Sequence, residues 1–163
     1  MANETASTTA TSSQPPAPQL ALQGVYLKDC SFEAPQGPRA NGEWNPQISL
    51  DLNTTMQSLT NELHEVVLTV TVSAKQGEQT LFLVEVKQAG AFLIQGLAQE
   101  EMKRAIGSVC PTILFPYARA VVSQLVGQGG FPQLLLPPVN FEALYANSEA
   151  QPAANGAGSN LKN

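Results

Sequence analysis

Apolar and polar positions alternate with a period of two from Glu62 to Gln88, and this pattern predicts the central element, a long β-hairpin running from Glu62 to Ile94. The first arm, Glu62 to Ala74, interleaves Val66, Val70 and Val72 with Thr69 and Thr71, the pattern of a half-buried strand. Gly77 lies in the polar break Lys75 to Glu78, where a residue tolerant of positive φ reverses the chain. The second arm, Thr80 to Gln88, puts Phe82, Val84 and Val86 on one face and Leu81, Leu83, Glu85 and Lys87 on the other. Both faces carry apolar groups, so this strand is expected to have a neighbour on each side.

The same pattern gives a first strand from Leu20 to Glu33, in which Asp29 and Glu33 share a face if no bulge separates them. Gly37 to Pro46, with Trp44, is a loop: Trp44 is either an aromatic lid on the core or the rim of a groove. Ile48, Leu50 and Leu52 alternate in a second strand. From Gly96 the period changes. Leu97, Ala98, Met102, Ala105, Ile106 and Val109 mark one face of a helix that Pro111 should stop, and Pro116 opens another with Tyr117, Val121, Val122 and Leu125 in its stripe. Gly127, Gly129 and Gly130 end that helix; Phe131 to Pro138 runs extended, and Asn140 caps a short helix from Phe141 to about Asn147.

The expected fold is therefore α+β: a four-stranded antiparallel sheet with two main helices packed on one face, a short C-terminal helix and disordered ends. The organisation is an N-terminal extension, 1–18, too poor in large apolar residues to order; one domain, 19–147; and a tail, 148–163.

Charge and chemistry narrow the function. With 13 acidic and 8 basic side chains the protein is acidic, which disfavours nucleic acid and favours a basic partner surface. Cys30 and Cys110, far apart and without nearby His, read as two buried reduced thiols. The N-terminus has no secretory pattern, and no apolar run approaches the roughly 18 residues of a membrane span, so the chain is expected to be cytoplasmic without membrane insertion. His64 reads as an ordinary strand histidine beside Glu62 and Glu65, and the glycines at 127, 129 and 130 fit neither phosphate-binding fingerprint. Catalysis is not indicated. What stands out is apolar surface beyond the needs of one small domain, on Leu81, Leu83, Trp44 and the strip from Phe131 to Val139, which points to oligomerisation and to binding of another polypeptide.

The stretch Cys110-Pro-Thr-Ile-Leu-Phe-Pro-Tyr-Ala-Arg119, followed by Gly130-Phe-Pro-Gln-Leu-Leu-Leu-Pro-Pro-Val-Asn-Phe-Glu-Ala-Leu144, strongly resembles the SecB family of protein-export chaperones. Tyr26 to Pro35, the Trp44 loop and Glu65 to Val72 are similar to it as well. The likeness spans about Gln19 to Asn147; the N-terminal extension is longer than the family's and the tail lacks its acidic character. The resemblance implies a cytoplasmic homotetramer, a dimer of dimers, that keeps unfolded preproteins translocation-competent without ATP, metal or other cofactor and delivers them to the SecA motor. It implies that Asp29, Glu33, Leu83 and Glu85 receive the basic, zinc-bearing tail of SecA. It also implies that Phe82, Val84, Val86 and Gln88 act in subunit pairing or substrate handling. For the client, the expected groove is lined by Trp44, Ile48, Leu50, Leu52 and parts of the second helix, with Phe32 in the loop region. The rival class is an oligomeric interaction scaffold without chaperone activity.

Overall fold

Four alternating segments become four strands in the computed structural model: β1 (Gln19–Glu33), β2 (Gln47–Ser58), β3 (Leu63–Gln76) and β4 (Gln79–Gln95). The structure describes Pro15, residues 17–38 and residues 43–151. Most of the N-terminal extension, residues 39–42 of the Trp44 loop and the tail from 152 onward lie outside the described residues.

The sheet is antiparallel throughout, in the order β1-β4-β3-β2. The hairpin strand β4 thus has a neighbour on each side, and it runs past Gly90 to Gln95. At the reversal Gly77 has φ 60°, which a side chain would resist. Beyond it Ala74 pairs with Phe82 but Lys75 with Thr80, so Leu81 is an extra residue in β4. This bulge corrects one expectation: Leu81 is 4% exposed and belongs to the core rather than to the outer face.

The core lies on one side of the sheet. Val66, Leu68, Val70 and Val72 of β3 and Phe82, Val84, Val86 and Phe92 of β4 are essentially inaccessible to solvent. Each such side chain contributes about 1.5–3 kcal/mol by leaving water, so these two strands dominate the stability of the sheet. They are covered by one helix, not two. α1 runs unbroken from Gln99 to Gln128, with a π-helical segment at Ala105–Val109. Pro111 does not stop it. The proline sits in the first turn after the π segment, where its missing N–H costs little, and Pro116 is carried inside the helix. Fused in this way, α1 matches a membrane span in length and apolar character, contrary to the expectation that no such stretch exists; its buried side lies against the sheet.

The π segment also shifts the helical phase. Stepping back from Ala118 through Leu114 and Pro111 at 3.6 residues per turn would bring Lys103 or Arg104, then Glu100, onto the sheet. The extra residue per turn puts Ala105 and Met102 there instead, and the side chains of Lys103 and Arg104 are more than half exposed. Val109 and Tyr117, expected in the apolar stripes, are 40% and 50% exposed; Tyr117 lies beyond the π segment, where the buried stripe runs through Leu114, Ala118 and Val122 instead. Gly130, with φ 80°, closes the helix. Residues 131–140 then run extended, and α2 (Phe141–Ala150) begins at Asn140, whose side chain accepts a hydrogen bond from the Ala143 N–H at 3.0 Å. α2 continues three residues past its expected end.

Candidate functional site

The two faces of the sheet carry different chemistry, and each collects one set of the residues singled out from sequence. On the core side an aromatic cluster forms around Phe131. Its ring centroid lies 5.1 Å from Phe82, 5.9 Å from Trp44 and 6.2 Å from Phe32. Phe32 is in β1, not in the loop, and stacks on Phe82 at 5.9 Å. Gly129 makes this possible: a Cβ there would lie 2.4 Å from the Phe32 ring.

Trp44 is half-buried and serves both readings at once, covering the core and walling a cleft. That cleft, of about 230 Å³, is lined by Trp44, Pro46, Ile48, Phe82, Pro132, Gln133 and Leu134. The helix expected beside Trp44 instead lines a different cleft, with Arg119, Ser123 and Leu135. Leu50 packs against the core, and Leu52 faces a second cleft of about 300 Å³, roofed by Leu144 and Tyr145 of α2. The five expected groove residues therefore lie along one side of the sheet without forming a single wall. Pro46, Pro132 and Leu134 were missed as lining residues, although the surplus of apolar positions after Phe131 was the signal for the last two.

Phe82, Val84, Val86 and Gln88 are 0–3% exposed, wholly enclosed by their own chain. Direct contact with a neighbouring subunit is closed to them in this conformation.

The opposite face is open. The bulge between Leu27 and Asp29 leaves Lys28 unpaired, and from there the β1–β4 register runs regularly: Asp29 opposite Lys87, Ser31 opposite Glu85, Glu33 opposite Leu83. No further bulge intervenes, so Asp29, Glu33, Leu83 and Glu85 share one surface, as the parity argument required. Leu83 is 37% exposed. Glu85 accepts from the Thr71 hydroxyl at 3.4 Å and lies 3.7 Å from the Lys87 ammonium. Both ends of that ion pair are solvated, so the acid is only loosely engaged.

A second carboxylate on this face behaves differently. Glu65, on β3, has only 9% of its side chain exposed and accepts hydrogen bonds from the Lys28 ammonium on one oxygen and the Tyr26 hydroxyl on the other. The two β1 side chains reach it across β4, whose Ala89 and Ala91 are small enough to let them pass. Lys28, then Tyr26, hold the Glu65 carboxyl below the usual carboxylate range. Donation to Glu65, with burial, pushes the Tyr26 phenol up to about 12. Sequence reading passed over this cluster because Glu65 is more than 35 residues from both Tyr26 and Lys28.

His64 is buried on the core side and shares a 3.1 Å hydrogen bond with Ser58, an ordinary strand position. Cys30 is exposed, against expectation, whereas burial pushes the Cys110 thiol up to about 12. Among the described residues no three His, Cys, Asp or Glu side chains converge as metal ligands.

Comparison with known proteins meets this geometry over nearly the whole chain. The family described as preprotein translocase subunit SecB matches residues 13–152. The protein-export protein SecB of Nitrosococcus oceani is 50% identical over 150 residues, covering 90% of this chain and 92% of the relative. Its counterpart in Pseudomonas fluorescens is 53% identical over 130 residues, covering 79% and 82%. Among solved structures, a SecB-like chaperone from Mycobacterium tuberculosis, in complex with a ChAD peptide from an antitoxin, superposes with a TM-score of 0.62 at 15% identity, over 74% of this chain and 87% of that one. That likeness speaks to the fold; the sequence matches speak to descent, and by them this chain belongs to the SecB family.

Proposed function

We propose that this protein is an ATP-independent chaperone that holds unfolded precursor proteins in the cytoplasm, keeps them competent for translocation and delivers them to SecA. The observation that carries the reading is the division of labour across one sheet: an aromatic and proline-lined cleft at Trp44 on one side, an exposed leucine framed by carboxylates on the other. An unfolded chain presents apolar side chains in no fixed order. Shallow apolar clefts without a built hydrogen-bond code suit it, because many weak contacts along one client add through avidity. Trp44, Ile48, Pro132 and Leu134 form the first of these contacts, Leu52 with Leu144 the second. Asp29, Glu33, Leu83 and Glu85 receive the basic, zinc-bearing tail of SecA.

The working unit is a homotetramer, a dimer of dimers, which multiplies the clefts available to one client. The chaperone uses no nucleotide, metal or other cofactor of its own. The test is aggregation of a chemically unfolded precursor with and without the purified protein, in the absence of nucleotide, followed by co-purification with SecA. Suppression of aggregation with SecA capture is the expected result. Neither suppression nor capture would leave only an oligomeric scaffold.

A further inference from the structure

We infer that Glu65 is a positioning residue for the acidic docking surface: it sequesters the Lys28 ammonium, which would otherwise compete with the basic partner for Glu85 and Asp29. This rests on the docking reading above and adds a residue that it does not include.

Two lysines stand among the docking carboxylates. Lys87 pairs with Glu85 at 3.7 Å, both solvated, and a partner's cation can displace it. Lys28 is the bulged residue immediately before Asp29, and it lines the same shallow cleft as Glu85 and Lys87, with Asn53, Thr55 and Thr69 around it. A free ammonium there could turn to Glu85, which lines the same cleft, or to Asp29, the next residue along β1. Glu65 removes it from that competition. Its own carboxylate is too enclosed to meet an incoming protein, and Tyr26 fills its second oxygen, so it serves only Lys28 and Tyr26 of β1. The surface left for the partner consists of the carboxylates that project.

A purely structural clamp and a charge sequestration make opposite predictions for variants of one pair. In Glu65→Gln the amide oxygen still accepts from Tyr26, so the fold is retained, but Lys28 is released. Binding to purified SecA at low ionic strength is expected to weaken about fivefold, the effect of one competing solvated ion pair. Lys28→Gln breaks the same ion pair but removes the competing cation, and is expected to bind SecA at least as well as the unaltered protein. The double variant Glu65→Gln, Lys28→Gln is expected to regain the affinity lost in Glu65→Gln alone. Unchanged affinity in Glu65→Gln, or a double variant as weak as Glu65→Gln, overturns the inference; so does a weakened Lys28→Gln, which would make the pair a structural clamp. Glu85→Lys is measured alongside. If it too binds SecA normally, the docking reading itself has failed, and that outcome is distinct from a failure confined to Glu65.

Discussion

The ring of Phe32 lies on that of Phe82, centroids 5.9 Å apart and planes 26° from parallel, so the end of β1 is fastened to the middle strand directly beneath the Trp44 cleft. Phe131 closes on both rings and ties the chain after α1 to the same point. Phe82→Ala, at a fully buried site, is expected to cost about 3–5 kcal/mol. Phe32→Ala should cost less, because that ring is only half-buried. In a double-mutant cycle read by urea denaturation the pair should show a coupling of about 1 kcal/mol. Additive losses would mean that the stack contributes area alone.

At the cleft, Trp44→Ala with Ile48→Ser removes two lining side chains from partly exposed positions. Affinity for an unfolded precursor is expected to fall about tenfold, equivalent to about 1.4 kcal/mol, with the oligomer intact by light scattering. Leu50→Ser is the informative contrast. Leu50 packs on the core, so its loss should lower stability more than it lowers client affinity. Equal effects on binding from both changes would return Leu50 to the groove.

On the other face, Glu85→Lys should leave client binding and the far-UV circular dichroism unchanged while weakening SecA binding. The deficit should shrink as ionic strength rises, because the charges involved are solvated and screened. A salt-independent deficit would point to a steric rather than an electrostatic cause.

Gly107 faces Tyr145 of α2 so closely that an added Cβ would lie 2.5 Å from the ring. Gly107→Ala is therefore expected to undock α2 and raise hydrogen exchange in residues 141–150, even though alanine favours the helix that carries it. Adding Tyr145→Ala should remove the clash and restore packing of the backbone. The Ser108 and Arg104 contacts to Glu142, at 2.7 Å each, would then hold the two helices together. Unchanged exchange in the single variant would refute the steric account.

Glu65 predicts part of the acid limb of stability. Its folded-state pKa is lowered by Lys28 and Tyr26, so its contribution is fully present above the unfolded carboxyl value of about 4.3 and is lost as pH falls through the lower folded value. The gap in urea midpoint between the unaltered protein and Glu65→Gln should be constant from pH 7 to about 5 and close at more acid pH. A gap that persists unchanged into acid would show that the stabilisation does not depend on the carboxylate charge.

The four strands and the central hairpin were legible because period-two alternation is a local property: Val70 and Val86 announce their faces without reference to anything distant. The shared face of Asp29 and Glu33 was legible for the same reason. Leu81 was misplaced because a bulge is a property of a strand pair, and neither arm of the hairpin shows it alone. The helix was split at Pro111 because proline reads as a stop by local rules; the π turn that accommodates it depends on packing against the sheet. The cleft lining and the Tyr26, Lys28 and Glu65 cluster needed contacts between segments far apart in the chain, which no window of sequence contains.

The π turn has a further consequence for how this chain can vary. A single deletion within 105–109 would restore ordinary α spacing. The same deletion would rotate everything before it by about 100° and turn Lys103 and Arg104 into the apolar sheet. Insertions and deletions among relatives should therefore gather in the loops and avoid this turn, so that its length stays fixed even where its side chains drift.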